Sequence, residues 1–70
     1  MILVETCSAP CRIVRRAVEV AKEFYGAKLT IKKAGKDRYD IFIKNNTLPQ
    51  LMKVRAFIKG YIFRWNDRGR

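Results

Sequence analysis

Across residues 10–25 the apolar side chains return once per helical turn. Ile13, Ala17, Val20, Ala21 and Phe24 fall on one face, and Arg12, Arg15, Arg16, Glu19, Lys22 and Glu23 fall on the other. A period of about 3.6 residues predicts an amphipathic helix. Such a helix has one face to bury, so the rest of the chain must supply a surface to cover it. Ser8 or Ala9 is placed to start the helix, with Pro10 in the first turn, where its missing N–H costs nothing. Gly26 stands where a left-handed cap ends a helix.

The flanking segments supply that surface as strands. The apolar run Met1-Ile2-Leu3-Val4 leads in, and residues 2–5 read as a short strand. After Gly26 the period changes from helical to alternating. Leu29 and Ile31 point one way, and Lys28, Thr30 and Lys32 the other. Tyr39, Ile41 and Ile43 then alternate with Asp40, Phe42 and Lys44. The cluster Ala34-Gly35-Lys36-Asp37 between these runs is a turn, so residues 27–44 predict a β-hairpin. Asn45-Asn46-Thr47 breaks the second strand. Thr47-Leu48-Pro49-Gln50 has the pattern of a capping box, with Thr47 as cap and Gln50 reaching back. A helix with Leu51, Val54 and Ile58 inward follows.

Two readings of the remaining segment stay open. If Lys59-Gly60 ends the helix, residues 61–65, Tyr-Ile-Phe-Arg-Trp, form a last strand with strong β preference. The order is then β-α-β-β-α-β, an α+β ferredoxin-like plan with an antiparallel sheet and two helices on one face. If the helix is unbroken, the plan is βαββα with one long C-terminal helix. Met52, Ala56 and Phe63 would then line up opposite Leu51, Val54 and Ile58, and a helix apolar on two sides implies a homodimer. Either way residues 1–66 make one α+β domain and residues 67–70 a basic tail.

Charge narrows the partners. Sixteen Lys and Arg against six Asp and Glu leave a net charge of +10 on 70 residues. That balance favours a polyanion: RNA or DNA, an anionic surface or an acidic protein. No apolar run approaches the length of a membrane span, and two cysteines are too few for a secreted disulfide scaffold, so a soluble cytoplasmic protein is expected. There is no histidine, which excludes imidazole bases, Ser/His triads and histidine-containing zinc sites. The glycines are isolated and the acids scattered, so no phosphate loop or paired-carboxylate site is drawn and no catalysis is expected.

Cys7 and Cys11 stand between the first strand and the first helix, and Gly60-Tyr61 would step from the second helix into the last strand. This layout resembles the heavy-metal-associated domains of copper chaperones and metal-pump tails, which share the β-α-β-β-α-β order and hold metal with two cysteines at that place. The family separates its cysteines by two residues, usually after a Met. Here three residues separate them and Glu5-Thr6 precedes Cys7. The resemblance implies a carrier of Cu(I) or another soft metal ion through Cys7 and Cys11. Thiols near a helix N-terminus and beside arginines are also expected to have lowered pKa values, which suits metal binding or redox exchange.

The reading that absorbs most of the charge is non-catalytic nucleic-acid binding with no cofactor. Arg12, Arg15 and Arg16 occupy a helix start where acids normally sit, which marks an anion site. The plainer alternative is a solvated helix face with Arg15 paired to Glu19. If the aliphatic residues of the hairpin face the helices, Lys28, Lys32 and Lys44 line the open sheet face with Phe42 among them. An aromatic among lysines on a sheet can stack a base while phosphates are held beside it.

Overall fold

The computed structural model describes residues 1–44 and 47–68, with side chains to residue 66. Five elements follow in order: β1 (Ile2–Ser8), α1 (Cys11–Tyr25), β2 (Lys28–Gly35), β3 (Arg38–Lys44) and α2 (Leu48–Arg68). The strands form a three-stranded antiparallel sheet in the order β1-β3-β2. Both helices pack on the same face of it, and their buried residues join those of the sheet in one apolar core. The fold is α+β.

The local signals at α1 act with one shift. Pro10 is the N-cap residue, at φ −58° and ψ 149°, and Cys11 is the first helical residue. The Pro10 carbonyl accepts from the Ile13 and Val14 amides at 3.0 and 3.2 Å, so the ring's lack of an N–H is harmless there. At the other end Gly26 takes φ 64° and donates its N–H to the Lys22 carbonyl at 2.9 Å, as a left-handed cap does. The buried face comprises Ile13, Val14, Ala17, Val18 and Ala21, whereas Val20 is half-buried and Phe24 is 74% exposed. The stripe is rotated from the expected one because α1 touches the sheet on one side and α2 on the other. Pairs of adjacent residues, not single positions, fill that angle.

β1 is longer than its apolar run. Thr6, Cys7 and Ser8 continue the ladder opposite Asp40, Tyr39 and Arg38. The register shifts between Leu3 and Glu5, so Val4 is bulged and turns inward, 3% exposed. The hairpin forms, but its turn shrinks from the expected Ala34–Asp37 to Lys36 and Asp37, with Asp37 at φ 53°. Ala34 and Gly35 extend β2, Arg38 opens β3, and the register shifts between Lys33 and Gly35. The Ala9 amide donates to the Asp37 carbonyl at 2.9 Å, which ties the β1–α1 connection to the hairpin tip.

The last strand does not form. Residues 61–65 lie inside α2, which continues without a break through Gly60 to Arg68. The βαββαβ expectation is corrected to the long-helix alternative, and residues 67 and 68 of the expected tail are helical. Val54, Ile58 and Ile62 recur every four residues and are all buried, with Tyr61 and Trp65 packed beside them. Burying an isoleucine contributes about 1.5–3 kcal/mol, against about 1 kcal/mol for a mid-helix glycine. The continuing stripe therefore outweighs both Gly60 and the β preference of Tyr-Ile-Phe. At the start of α2 the Thr47 carbonyl accepts from the Leu51 amide at 3.0 Å. Gln50 does not close a capping box: its Nε2 donates to the Tyr25 carbonyl at 2.8 Å, satisfying the end of α1. Asn45 and Asn46, expected to break the strand, lie outside the described residues, as do residues 69 and 70.

Candidate nucleic-acid interface

The pleat divides the sheet into a covered and an open face. Tyr39, Ile41, Ile43 and Leu29 are buried under the helices, with Ile31 half-buried beside them. The cross-strand partners Lys28 and Lys44, Thr30 and Phe42, and Lys32 and Asp40 therefore share the open face. β1 adds Leu3 opposite Phe42, Thr6 opposite Asp40 and Ser8 opposite Arg38. Phe42 stands on the central strand, half-buried between Leu3 and Thr30. Along β3, Lys44 and Asp40 lie two residues to either side of it, about 7 Å away. Asp40 is the one carboxylate this face brings among four cations, and it accepts a hydrogen bond from the Thr6 hydroxyl at 2.8 Å.

Arg38 belongs to this face although the sequence reading did not single it out. Its signal was available: it lies two residues before Asp40 in the same alternating set. The alternating run is expected from Tyr39, and β3 starts one residue earlier, at Arg38. Leu3 carries no such signal. The bulge at Val4 sets which β1 residues face outward, and nothing local announces a bulge.

Arg12, Arg15 and Arg16 are exposed on α1, away from the core. Since α1 covers the other face of the sheet, they look away from Lys28, Lys32, Phe42 and Lys44. The two groups do not form one surface. Among the described residues no carboxylate comes within ion-pair distance of the three arginines, and the expected Arg15–Glu19 pair is not made. Arg15 does lie near Tyr39, whose hydroxyl is held above its ordinary pKa by a hydrogen bond with Cys11 and by burial, with Arg15 pulling the other way.

The two thiols part in a similar way. Cys7 is 3% exposed in the core, and burial, with Glu5 and Asp40 adding to it, pushes its pKa up to about 11. The expected lowering is reversed at Cys7. The helix start lies beyond a buried strand end, and two carboxylates are closer electrically than any arginine. Cys11 is half-buried in the first turn of α1, and both cysteines are free thiols. Among the described residues no three Cys, Asp or Glu side chains converge on a metal-sized site.

A second surface combines aromatic rings with Arg64. Phe24, Tyr25, Phe57 and Tyr61 form a chain of ring contacts with centroids 5.1–6.4 Å apart where α1 and α2 meet. Beside it, Ala56, Gly60, Arg64 and Trp65 border an open groove of about 460 Å³ on α2. No helix among the described residues is long and apolar enough to cross a membrane. In comparison with known proteins, the chain matches no family model, no curated sequence and no solved structure.

Proposed function

We propose that this protein binds single-stranded nucleic acid on the open face of its sheet and catalyses no reaction. The observation that carries the reading is the position of Phe42. It is central on the sheet, with cations at both ends of its own strand and on β2. A base stacked on that ring would place its flanking phosphates toward Lys28 and Lys44 on one side and Lys32 and Arg38 on the other. Thr6 and Thr30 add hydroxyls beside the ring's strand for polar contacts to sugar or base edges. RNA and DNA share the stacked base and the phosphates, so the face accommodates either. The strand order β1-β3-β2 is also that of a split βαβ unit, and we infer a ferredoxin-like kinship of layout alone, which carries no function.

The test is a salt titration of binding to labelled single strands, read by fluorescence anisotropy. Affinity is expected to fall with salt at a log–log slope of about −0.7 per phosphate contacted. Phe42→Ala should weaken single-strand binding by about 1–3 kcal/mol while leaving the slope unchanged. Changing Lys28 and Lys32 together to Gln should flatten the slope by about 1.4, with the ring contact intact. Replacing Arg12, Arg15 and Arg16 by Gln should matter least, because they face the other way. Absence of binding at low salt, or native affinity in folded Phe42→Ala, would overturn the proposal.

A further inference from the structure

β1 is an edge strand with no neighbouring strand on its outer side among the described residues, its Thr6 amide donating to Glu5 Oε1 at 3.2 Å. The fourth strand expected from the sequence would have lain there, but its residues are in α2. We propose that this edge pairs antiparallel with β1 of a second copy of the same chain, joining two three-stranded sheets into one of six strands. The inference is independent of the nucleic-acid reading.

The two edges of the sheet are built differently. β2 carries Lys28, Lys32 and Lys33, and edge lysines repel an incoming strand. β1 has no Lys or Arg between Ile2 and Ser8, and its one charge, Glu5, is already met by Arg55 at 3.9 Å and Lys59 at 3.8 Å. On a chain of net charge +10 the strand itself adds no positive charge to the seam, where Arg55 and Lys59 of α2 stand beside Glu5. An acidic partner would be drawn instead to the arginines or the sheet lysines. The occupant that suits an extended edge with no lysine or arginine of its own is another such strand, and β1 is one.

The bulge selects the register. Residues paired across an antiparallel ladder share a face. Ile2, Val4, Glu5 and Cys7 face the helices, while Leu3, Thr6 and Ser8 face the open side. A two-fold axis between Val4 and Glu5 sets Ile2 against the partner's Cys7, Leu3 against the partner's Thr6, and Val4 against the partner's Glu5. Every pair then shares a face, and shifting by one residue either way breaks that match. The axis stands perpendicular to the sheet, so both pairs of helices stay on one side. The two Glu5 side chains are not set against each other.

This register also fills a groove. Cys7, Ser8, Ile62 and Phe63 lie among the residues bordering a furrow of about 320 Å³ between the end of β1 and α2. Ile2 of one copy, 53% exposed alone, is opposite the partner's Cys7 and on its face, so it enters the partner's furrow beneath its Phe63. Each copy fills the other's groove, and Phe63, itself 72% exposed, is covered.

Sedimentation equilibrium of the purified, nucleic-acid-free chain should show a mass twice the 8.2 kDa of one copy. Ile2→Lys should sediment as a monomer with unchanged circular dichroism, because Ile2 is half out of the core. In a Cys7→Ala, Cys11→Ser background, Leu3→Cys with Thr6→Cys should form a disulfide-linked dimer on mild oxidation, and Leu3→Cys alone should not. A native chain that stays monomeric throughout the micromolar range would overturn the proposal. So would a dimer that survives Ile2→Lys, or failure of the double-cysteine chain to cross-link.

Discussion

Cys7 shows how far one residue's neighbourhood can override its place in the sequence. A thiol four residues before a helix looks activated; buried in a core beside Glu5 and Asp40, it holds its proton up to a pKa of about 11. The consequence for stability has a definite sign. The folded value lies above the ordinary 9.0, so the folded chain binds this proton more tightly than the unfolded chain. That stabilisation is complete below pH 9 and is lost as pH rises through about 11. Denaturant midpoints measured across that interval should fall, with up to about 2 kcal/mol lost through this group. Cys7→Ala should remove that part of the decline. Phe42 is the opposite case: its outward direction followed from its immediate neighbours, because alternation is a property of the strand itself.

At the scale of elements, α2 was the point at which two local rules disagreed. Gly60 after Lys59 signals a helix end, while the spacing of Val54, Ile58 and Ile62 signals continuation. The structure follows the spacing. Gly60 therefore sits in a helix interior, and a Cβ added there meets nothing within 4 Å. Gly60→Ala should stabilise the protein by about 0.5–1 kcal/mol, read as a higher denaturant midpoint with unchanged slope. A loss of stability would mean that the backbone at Gly60 departs from a regular helix. The hairpin posed no such conflict. Two alternating runs either side of a turn predict a hairpin, while its register, which shifts between Lys33 and Gly35, was set by the pairing itself.

Net charge acts on the whole molecule, and its two proposed associations respond to salt in opposite directions. Nucleic-acid binding releases counterions and weakens as salt rises. Pairing through β1 brings together two bodies of charge +10, with Arg55 and Lys59 of both copies near the seam, so screening their repulsion strengthens it. Raising sodium chloride from about 0.05 to about 0.3 M should therefore tighten the dimer while loosening the single strand. Sedimentation and anisotropy on the same samples should move apart. If both weaken together, the dimer is held by charge and not by an apolar strand edge.

Sequence alone determined what short-range periodicity can encode: one amphipathic helix ended by Gly26, a hairpin, and the side of the hairpin on which Lys28, Thr30, Lys32, Phe42 and Lys44 stand. Those features depend on residues within a few positions of each other, where backbone geometry allows few answers. Tertiary structure decided the rest. It turned Val14 and Val18 inward in place of Phe24, carried α2 through Gly60, bulged Val4 and buried Cys7. It also set the α1 arginines and the sheet lysines on opposite sides of the molecule. Each of these depends on which surfaces meet across the core, and burial there contributes more free energy than a local cap, a β preference or a helix-end charge.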